Sequence, residues 1–239
     1  MRRRHAKPQA LNIPFLLDPA MLPRVLEPEV MDSAEEARDY DQMDHSQVNR
    51  VFVTDFLSCW NGQGPVLDVG TGTAQIPLEL CRHSSKVQIT AIDLAEHMLQ
   101  VGRENVRKAG FPERIRLERQ DGKHLPYPAK SFAAVISNSI VHHIPEPAAV
   151  LAEIVRIARP SGLLFIRDLL RPTSDDQVRH LVATYAGNSN AHQQKMFDDS
   201  LRAALSLEEI RSLIADLGFD PATVEQTTDR HWTWSAKVA

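Results

Sequence analysis

The chain has 239 residues, 43% of them hydrophobic and 24% charged, with a formal net charge of −4. A chain this long buries a sizeable core without staples. Its mild acidity argues against a main task of binding nucleic acid phosphates, which calls for a basic surface. Two cysteines, Cys59 and Cys81, rule out a disulfide framework and fit a reducing compartment.

Residues 1–30 hold five of the 15 prolines: Pro8, Pro14, Pro19, Pro23 and Pro28. Proline lacks a backbone donor, so this arm is expected to be neither helix nor central strand. It is disordered or draped over the body through Ile13, Phe15, Leu16 and Leu22. Its basic start, Arg2 to His5, precedes an apolar run broken by prolines and Asp18, unlike the continuous core of a signal peptide. No stretch approaches the ~20 apolar residues of a membrane span. The expectation is a cytoplasmic protein with a short basic arm.

Residues 31–63 read as a helical cap. Ser33 with Glu36 fits a capping box. A second helix carries Val48, Val51, Phe52, Phe56 and Cys59 on one face. Asn61 to Pro65 ends it with turn chemistry. From residue 64 to 239 the pattern is that of one domain. Short apolar runs at Val66–Val69, Val87–Ile92, Ile115–Arg119, Ala133–Ser137 and Leu163–Ile166 alternate with helix candidates at 74–83, 95–109 and 147–158. This alternation predicts an α/β fold, a parallel sheet with helices on both faces. The polar stretch 172–204 reads as a helical, lid-like insert. Ser206 with Glu209 caps a further helix, which Gly218 ends. Thr223–Thr227 and His231–Val238 read as two closing strands at the sheet edge.

Three strand ends carry chemistry. The first is Asp68-Val69-Gly70-Thr71-Gly72-Thr73-Ala74, where glycines permit a tight turn and a close backbone approach to a ligand. The dinucleotide fingerprint would need a third glycine at position 75, which is Gln75. The second is Asp93, suited to accept hydrogen bonds from both ribose hydroxyls of an adenosine-bearing cofactor, or to cap a helix. The third is Asp121-Gly122, either an adenine-edge contact or a plain turn.

In this order, Asp68-x-Gly70-x-Gly72, Ile92-Asp93-Leu94 with Met98, Asp121-Gly122 with Leu125-Pro126-Tyr127, Val135 to Ser139, Val141-His142-His143-Ile144-Pro145 and Arg159 to Leu163 resemble the class I S-adenosylmethionine-dependent methyltransferases. The likeness is to the small-molecule branch with the ubiquinone and menaquinone methylases, and covers roughly residues 64–170. It implies a Rossmann-like, seven-stranded, mostly parallel sheet with a reversed last strand, and S-adenosylmethionine as cofactor. It implies that Asp68, Gly70, Thr71 and Gly72 line the methionine part of the cofactor. Asp93 would hold the ribose, Leu94 and Met98 would pack near the adenine, and Asp121 and Gly122 would meet its edge. Asn138 would lie near the methionine end, and Tyr40 would sit on a helix folded over the cofactor. Ala74 stands where the family often has a third glycine; the turn is expected to survive. The Asn-Pro-Pro-Tyr signature of base-amine methylases is absent, the stretch being Ser137-Asn138-Ser139-Ile140.

The implied activity is in-line methyl transfer to a small molecule, with no nucleic acid or membrane partner. A base is needed only for a nucleophile that arrives protonated. His142, His143 and Asp168 follow the fourth and fifth strands, where ligands bind in open parallel sheets. His142, with Asp168, is the expected catalytic residue. No recognised ligand spacing supports a metal site built from His142, His143, Asp168 and His192. Arg167 and Arg171 are either ion-paired or anion-binding, and Trp232 and Trp234 either core or a stacking wall. Rival readings are a nicotinamide-dependent oxidoreductase, a non-catalytic cofactor-binding protein, and a methylase of RNA or protein resting on Arg2 to Arg4.

Overall fold

The computed structural model of the protein describes residues 22–27 and 32–239. Arg2 to Arg4 and the anchors Ile13, Phe15 and Leu16 lie outside the described residues. Strand β1 (Val66–Val69) is buried along its whole length. Around it lie β2 (Ile89–Asp93), β3 (Ile115–Arg119), β4 (Phe132–Asn138) and β5 (Ala158–Leu169). With β6 (Val224–Gln226) and β7 (His231–Lys237) they form one seven-stranded sheet in the order β3-β2-β1-β4-β5-β7-β6. Strands β1 to β5 pair in parallel, whereas β7 runs antiparallel to both β5 and β6. The reversed strand is therefore the last one, as the resemblance implies. Chain order reverses between β1 and β4, which places a crevice at the ends of these two strands.

Side chains alternate across the sheet, and so do the two cores. Leu67, Val135, Leu164 and Ile166 face α5 (Pro147–Ile157) and α8 (Leu207–Asp216) in one cluster, which also holds Trp232 and Trp234. Val66, Ala134, Ile136 and Phe165 face α2 (Ser46–Cys59) and α3 (Gln75–His83) in the other. Helix α4 (Glu96–Ala109) carries α1 (Ala34–Gln42) on its outer side, where Ala37 and Tyr40 pack with Met98 and Val101. The Ser33–Glu36 capping box starts α1, and Ser206–Glu209 starts α8. The 172–204 stretch forms α6 (Asp175–Ala186) and α7 (Ala191–Ala203), which pack on Leu169 together with Leu22.

Two local expectations need correction, and the choice left open for Trp232 and Trp234 is decided. The buried stripe of α2 is Asn49, Phe52, Val53 and Phe56, while Val51 is 46% exposed and Cys59 is exposed. Asn49 donates to Gln75 Oε1 of α3, so a polar residue occupies a place that hydrophobic periodicity passes over. Strand β5 starts at Ala158, five residues early, because its register slips between Phe132 and Ala134 of β4. Trp232 and Trp234 are wholly buried core residues, not a wall open to a ligand.

Candidate active site

The turn after β1 is held by its neighbours. The N–H groups of Gly70 and Thr71 both donate to the Ile92 carbonyl, at 2.9 and 2.8 Å. Gly70 and Gly72 have φ of 77° and 53°. Ala74 shares the left-handed region, with φ of 66°, so the turn keeps its shape without the third glycine. The Gly72 N–H donates to Asp93 Oδ2 at 2.8 Å, and the Ala95 N–H to Asp93 Oδ1 at 2.9 Å. Asp93 is thus tied to the turn and, through the Ala95 and Leu94 N–H groups, to the start of α4, with acceptor capacity left for a ligand. Burial pushes its carboxyl up, against these N–H groups.

Asp68 closes this end of the site. It is 2% exposed, and its Oδ2 has no hydrogen-bond partner among the described residues. Burial pushes its pKa up to about 7; the Thr71 hydroxyl works against this and the charge of Asp93 adds to it. Tyr40 of α1 lies over the turn, with Cε1 3.7 Å from where a Gly72 Cβ would sit. Burial, then the charges of Asp93, Asp68 and Asp41, push its phenol up to about 12. A buried carboxylate with one oxygen unpartnered and a half-buried one, beside a glycine-lined approach, suit a ligand that brings positive charge and hydroxyl donors. A sulfonium nucleoside with an amino acid arm meets that description.

The remaining predicted positions frame this cleft. Asp121 Oδ1 accepts the Lys123 N–H at 2.9 Å and lies 3.6 Å from its Nζ, so the turn reading of Asp-Gly is realised. A Cβ on Gly122 would meet Val69 Cγ1 at 3.2 Å, which sets this turn against the end of β1. Met98 is buried between α1 and α4. Leu94 follows Asp93 and is half-buried, its carbonyl accepting from Arg119 Nε. Asn138 ends β4, half-buried and in register with Arg167.

The other end is built on His142, in a short 3-10 turn, Val141–His143, just after β4. Its Nδ1–H donates to Asp168 Oδ1 at 2.5 Å, and both side chains are buried. Asp168 also accepts from the N–H groups of Val141, His142 and Leu169. Burial alone would raise Asp168; the charge and bond of His142 and these N–H groups hold it below the usual carboxylate range. Burial opposes a charge on His142, yet Asp168 and then Glu27 hold its pKa above the ordinary value. Asp168 therefore orients the ring and leaves Nε2 as the outward nitrogen.

Glu27 and Arg24 stand out only in three dimensions. Glu27 Oε1 is 3.5 Å from His142 Nε2 and 3.1 Å from His143 Nδ1. Arg24 donates to the carbonyls of His142 (3.1 Å), Ile144 (3.0 Å) and Ala203 (2.7 Å). Residues 22–27 so form a strap across this end of the cleft. No spacing in the sequence links position 27 to 142, which lie 115 positions apart in the numbering. Arg167 and Arg171 are buried and engaged, Arg167 with Asp55 and Thr233, Arg171 with Glu209 and the Ala204 carbonyl. Neither reaches for a substrate anion. His192 is exposed on α7, apart from His142 and His143.

A profile of the methyltransferase domain matches residues 67–166. The chain is 27% identical over 176 residues to a 27-O-demethylrifamycin SV methyltransferase of Amycolatopsis mediterranei, covering 72% of this chain and 61% of that protein. It is 29% identical over 178 residues to a ubiquinone/menaquinone biosynthesis C-methyltransferase of Geobacter sulfurreducens, covering 70% of each. Among solved structures, a SAM-dependent methyltransferase from Aquifex aeolicus superposes with a TM-score of 0.63 at 20% identity, over 87% of this chain and 99% of that one. The glycine turn with its two acids, the sheet order and these likenesses agree: the chain carries a methyltransferase domain and is similar to the class I S-adenosylmethionine-dependent methyltransferases, the ubiquinone/menaquinone methylases among them.

Proposed function

We propose that the protein transfers a methyl group from S-adenosylmethionine to a small-molecule acceptor held between the Gly70–Gly72 turn and His142. The observation that carries this is the buried Asp68 carboxylate, whose Oδ2 has no partner among the described residues, beside the Asp93-tied turn. Asp68 would hold the cofactor's ammonium group, Asp93 its ribose hydroxyls and Tyr40 its outer face. Asp121, Gly122, Leu94 and Met98 would frame the adenine, and Asn138 the methionine end. The bound cofactor supplies an activated methyl and a neutral sulfur leaving group.

The protein's share is mostly placement, worth ~7–11 kcal/mol in favourable cases. For a protic acceptor, the proton passes to Nε2 of His142, whose ring Asp168 keeps in the needed tautomer. The curated relatives act on both oxygen and carbon, as their names state. The α1–α2 cap and the α6–α7 insert would shape the acceptor pocket. A cytoplasmic setting belongs to the same proposal, supported by the free thiols of Cys59 and Cys81. Among the described residues no helix is long and apolar enough to cross a membrane.

The test has two steps. Thermal melting with S-adenosylhomocysteine, S-adenosylmethionine, NAD and NADP should show a shift with the adenosyl ligands alone. A shift with the nicotinamide cofactors alone would replace this reading with an oxidoreductase. Label transfer from methyl-labelled cofactor to a panel of phenols, quinols and amines should then be lost on Asp93→Ala.

A further inference from the structure

We propose that Glu27, His142 and His143 form a site for one divalent transition-metal cation, of the zinc type, at the acceptor end of the cleft. The carboxylate, His142 Nε2 and His143 Nδ1 all lie within 4.8 Å of one another. Glu27 Oε1 is 3.5 Å from the first nitrogen and 3.1 Å from the second. Metal–ligand bonds of ~2.0–2.2 Å in tetrahedral array put ligand atoms roughly 3.3–3.6 Å apart, close to both distances from Glu27.

The second argument is the group behind the cluster. Asp168 takes the far N–H of His142 at 2.5 Å. A carboxylate on the remote nitrogen is the usual support of a metal-bound imidazole: it fixes the tautomer, aims the lone pair and raises ligand basicity. Ser200 similarly donates to Glu27, at 3.2 Å. The ligand side chains are sheltered, at 4% exposure for His142, 13% for Glu27 and 21% for His143.

Charge agrees. Glu27 and Asp168 bring two carboxylates to the cluster, with Asp199 and the Arg24 cation also near. Arg24 itself faces the carbonyls of His142 and Ile144, not the ligand nitrogens. Two imidazoles with one carboxylate suit zinc or a neighbouring transition metal, whereas magnesium and calcium favour all-oxygen sets.

Three protein ligands leave a position open. There a cation would lower the pKa of an acceptor hydroxyl. The O–H bond breaks, the proton leaves to water, and the oxygen keeps the electron pair for attack. His142 Nε2 cannot ligate and accept a proton at once, so metal content decides which route operates. The chemistry rests on the acceptor-end reading of His142; the binding site rests on the cluster alone. The cation would also pin the 22–27 strap to the 3-10 turn.

The test uses untagged full chain stripped with a chelator, then titrated with Zn²⁺ by calorimetry and with Co²⁺ by visible absorption. One equivalent of Zn²⁺, tetrahedral-type Co²⁺ bands and a rise in melting temperature are expected. His143→Ala and Glu27→Gln should each weaken binding 10-fold or more, and Asp168→Asn roughly 10–100-fold. A retained melting shift with S-adenosylhomocysteine marks each variant as folded. The proposal is overturned if folded wild type takes up neither ion stoichiometrically, or if folded His143→Ala and Glu27→Gln bind as wild type does. Metal binding with no response to any adenosyl ligand would support this site and overturn the methyltransferase reading instead.

Discussion

Asp68→Asn should make the free protein more stable and weaken the proposed cofactor site. In the folded chain the Asp68 carboxyl is raised from 3.8 to about 7, with burial as the main cause. A raised acid pKa means the folded state holds its proton where the unfolded chain has released it. Stability from this group is therefore full below pH ~4 and lost as pH rises through about 7. The difference of about three pH units corresponds to roughly 4 kcal/mol at pH 8. The buried amide of asparagine needs partners of its own, at a cost of ~1–3 kcal/mol, so a net gain of about 2 kcal/mol remains. For a chain of this length that is a rise in Tm of roughly 4–8 °C. The assay is thermal melting of both proteins at pH 5 and pH 8, with and without S-adenosylhomocysteine. The variant should melt higher at pH 8, show little gain at pH 5, and lose at least ~10-fold in ligand affinity, the worth of a charge-assisted bond. A variant that melts lower at pH 8, or that binds the ligand undiminished, would refute this account of Asp68.

The two turn glycines should respond differently to alanine. A Cβ on Gly70 would strike Ile140, whose own Cβ is 2.9 Å away and fixed to the backbone, so rotamer change gives no escape. With φ at 77° the expected cost of Gly70→Ala is about 2–5 kcal/mol in urea unfolding. Gly72→Ala meets only Tyr40 at 3.7 Å and should cost ~1–2 kcal/mol, while weakening S-adenosylhomocysteine binding. Ser33→Ala removes the capping box of α1, at ~1 kcal/mol locally. Hydrogen exchange should then speed up in α1, with global stability nearly unchanged. Burial, followed by the charges of Arg230 and Arg167, lowers His231 to about 4. Its stabilisation is full above pH ~6.5 and lost as pH falls toward 4, up to about 3 kcal/mol. His231→Gln should flatten the pH–Tm curve between pH 4 and 6.5.

The parts that could be read in sequence are those in which a few consecutive residues decide the outcome. The Ser33–Glu36 and Ser206–Glu209 boxes form because a hydroxyl and a carboxylate three positions apart satisfy each other's backbone donors. The Asp68–Ala74 turn forms because three positions tolerate positive φ. The buried face of α2 keeps Phe52 and Phe56 but takes in Asn49, whose bond to Gln75 on another helix no hydrophobic periodicity signals. Asp121 serves its own turn, a role that a short-range reading could not separate from ligand binding.

The His142 end of the cleft follows a different rule. His142 draws its ring support from Asp168, 26 positions on, and its facing carboxylate from Glu27, which in turn is held by Ser200, 173 positions on from it. Such contacts exist only after the sheet has brought β4 and β5 side by side and the strap has crossed them. The domain match spans residues 67–166, which takes in Asp68, Asp93, Asp121 and His142 but stops short of Asp168 and leaves out Glu27. The proposed cofactor contacts, Tyr40 apart, thus come from local turns inside the shared domain. The proposed acceptor chemistry depends on residues beyond both of its ends. Exchanging the 22–27 strap or the α6–α7 insert with those of a relative should change acceptor choice in label-transfer assays while S-adenosylhomocysteine affinity stays the same. Equal loss of both would mean that the two ends of the cleft are not separable.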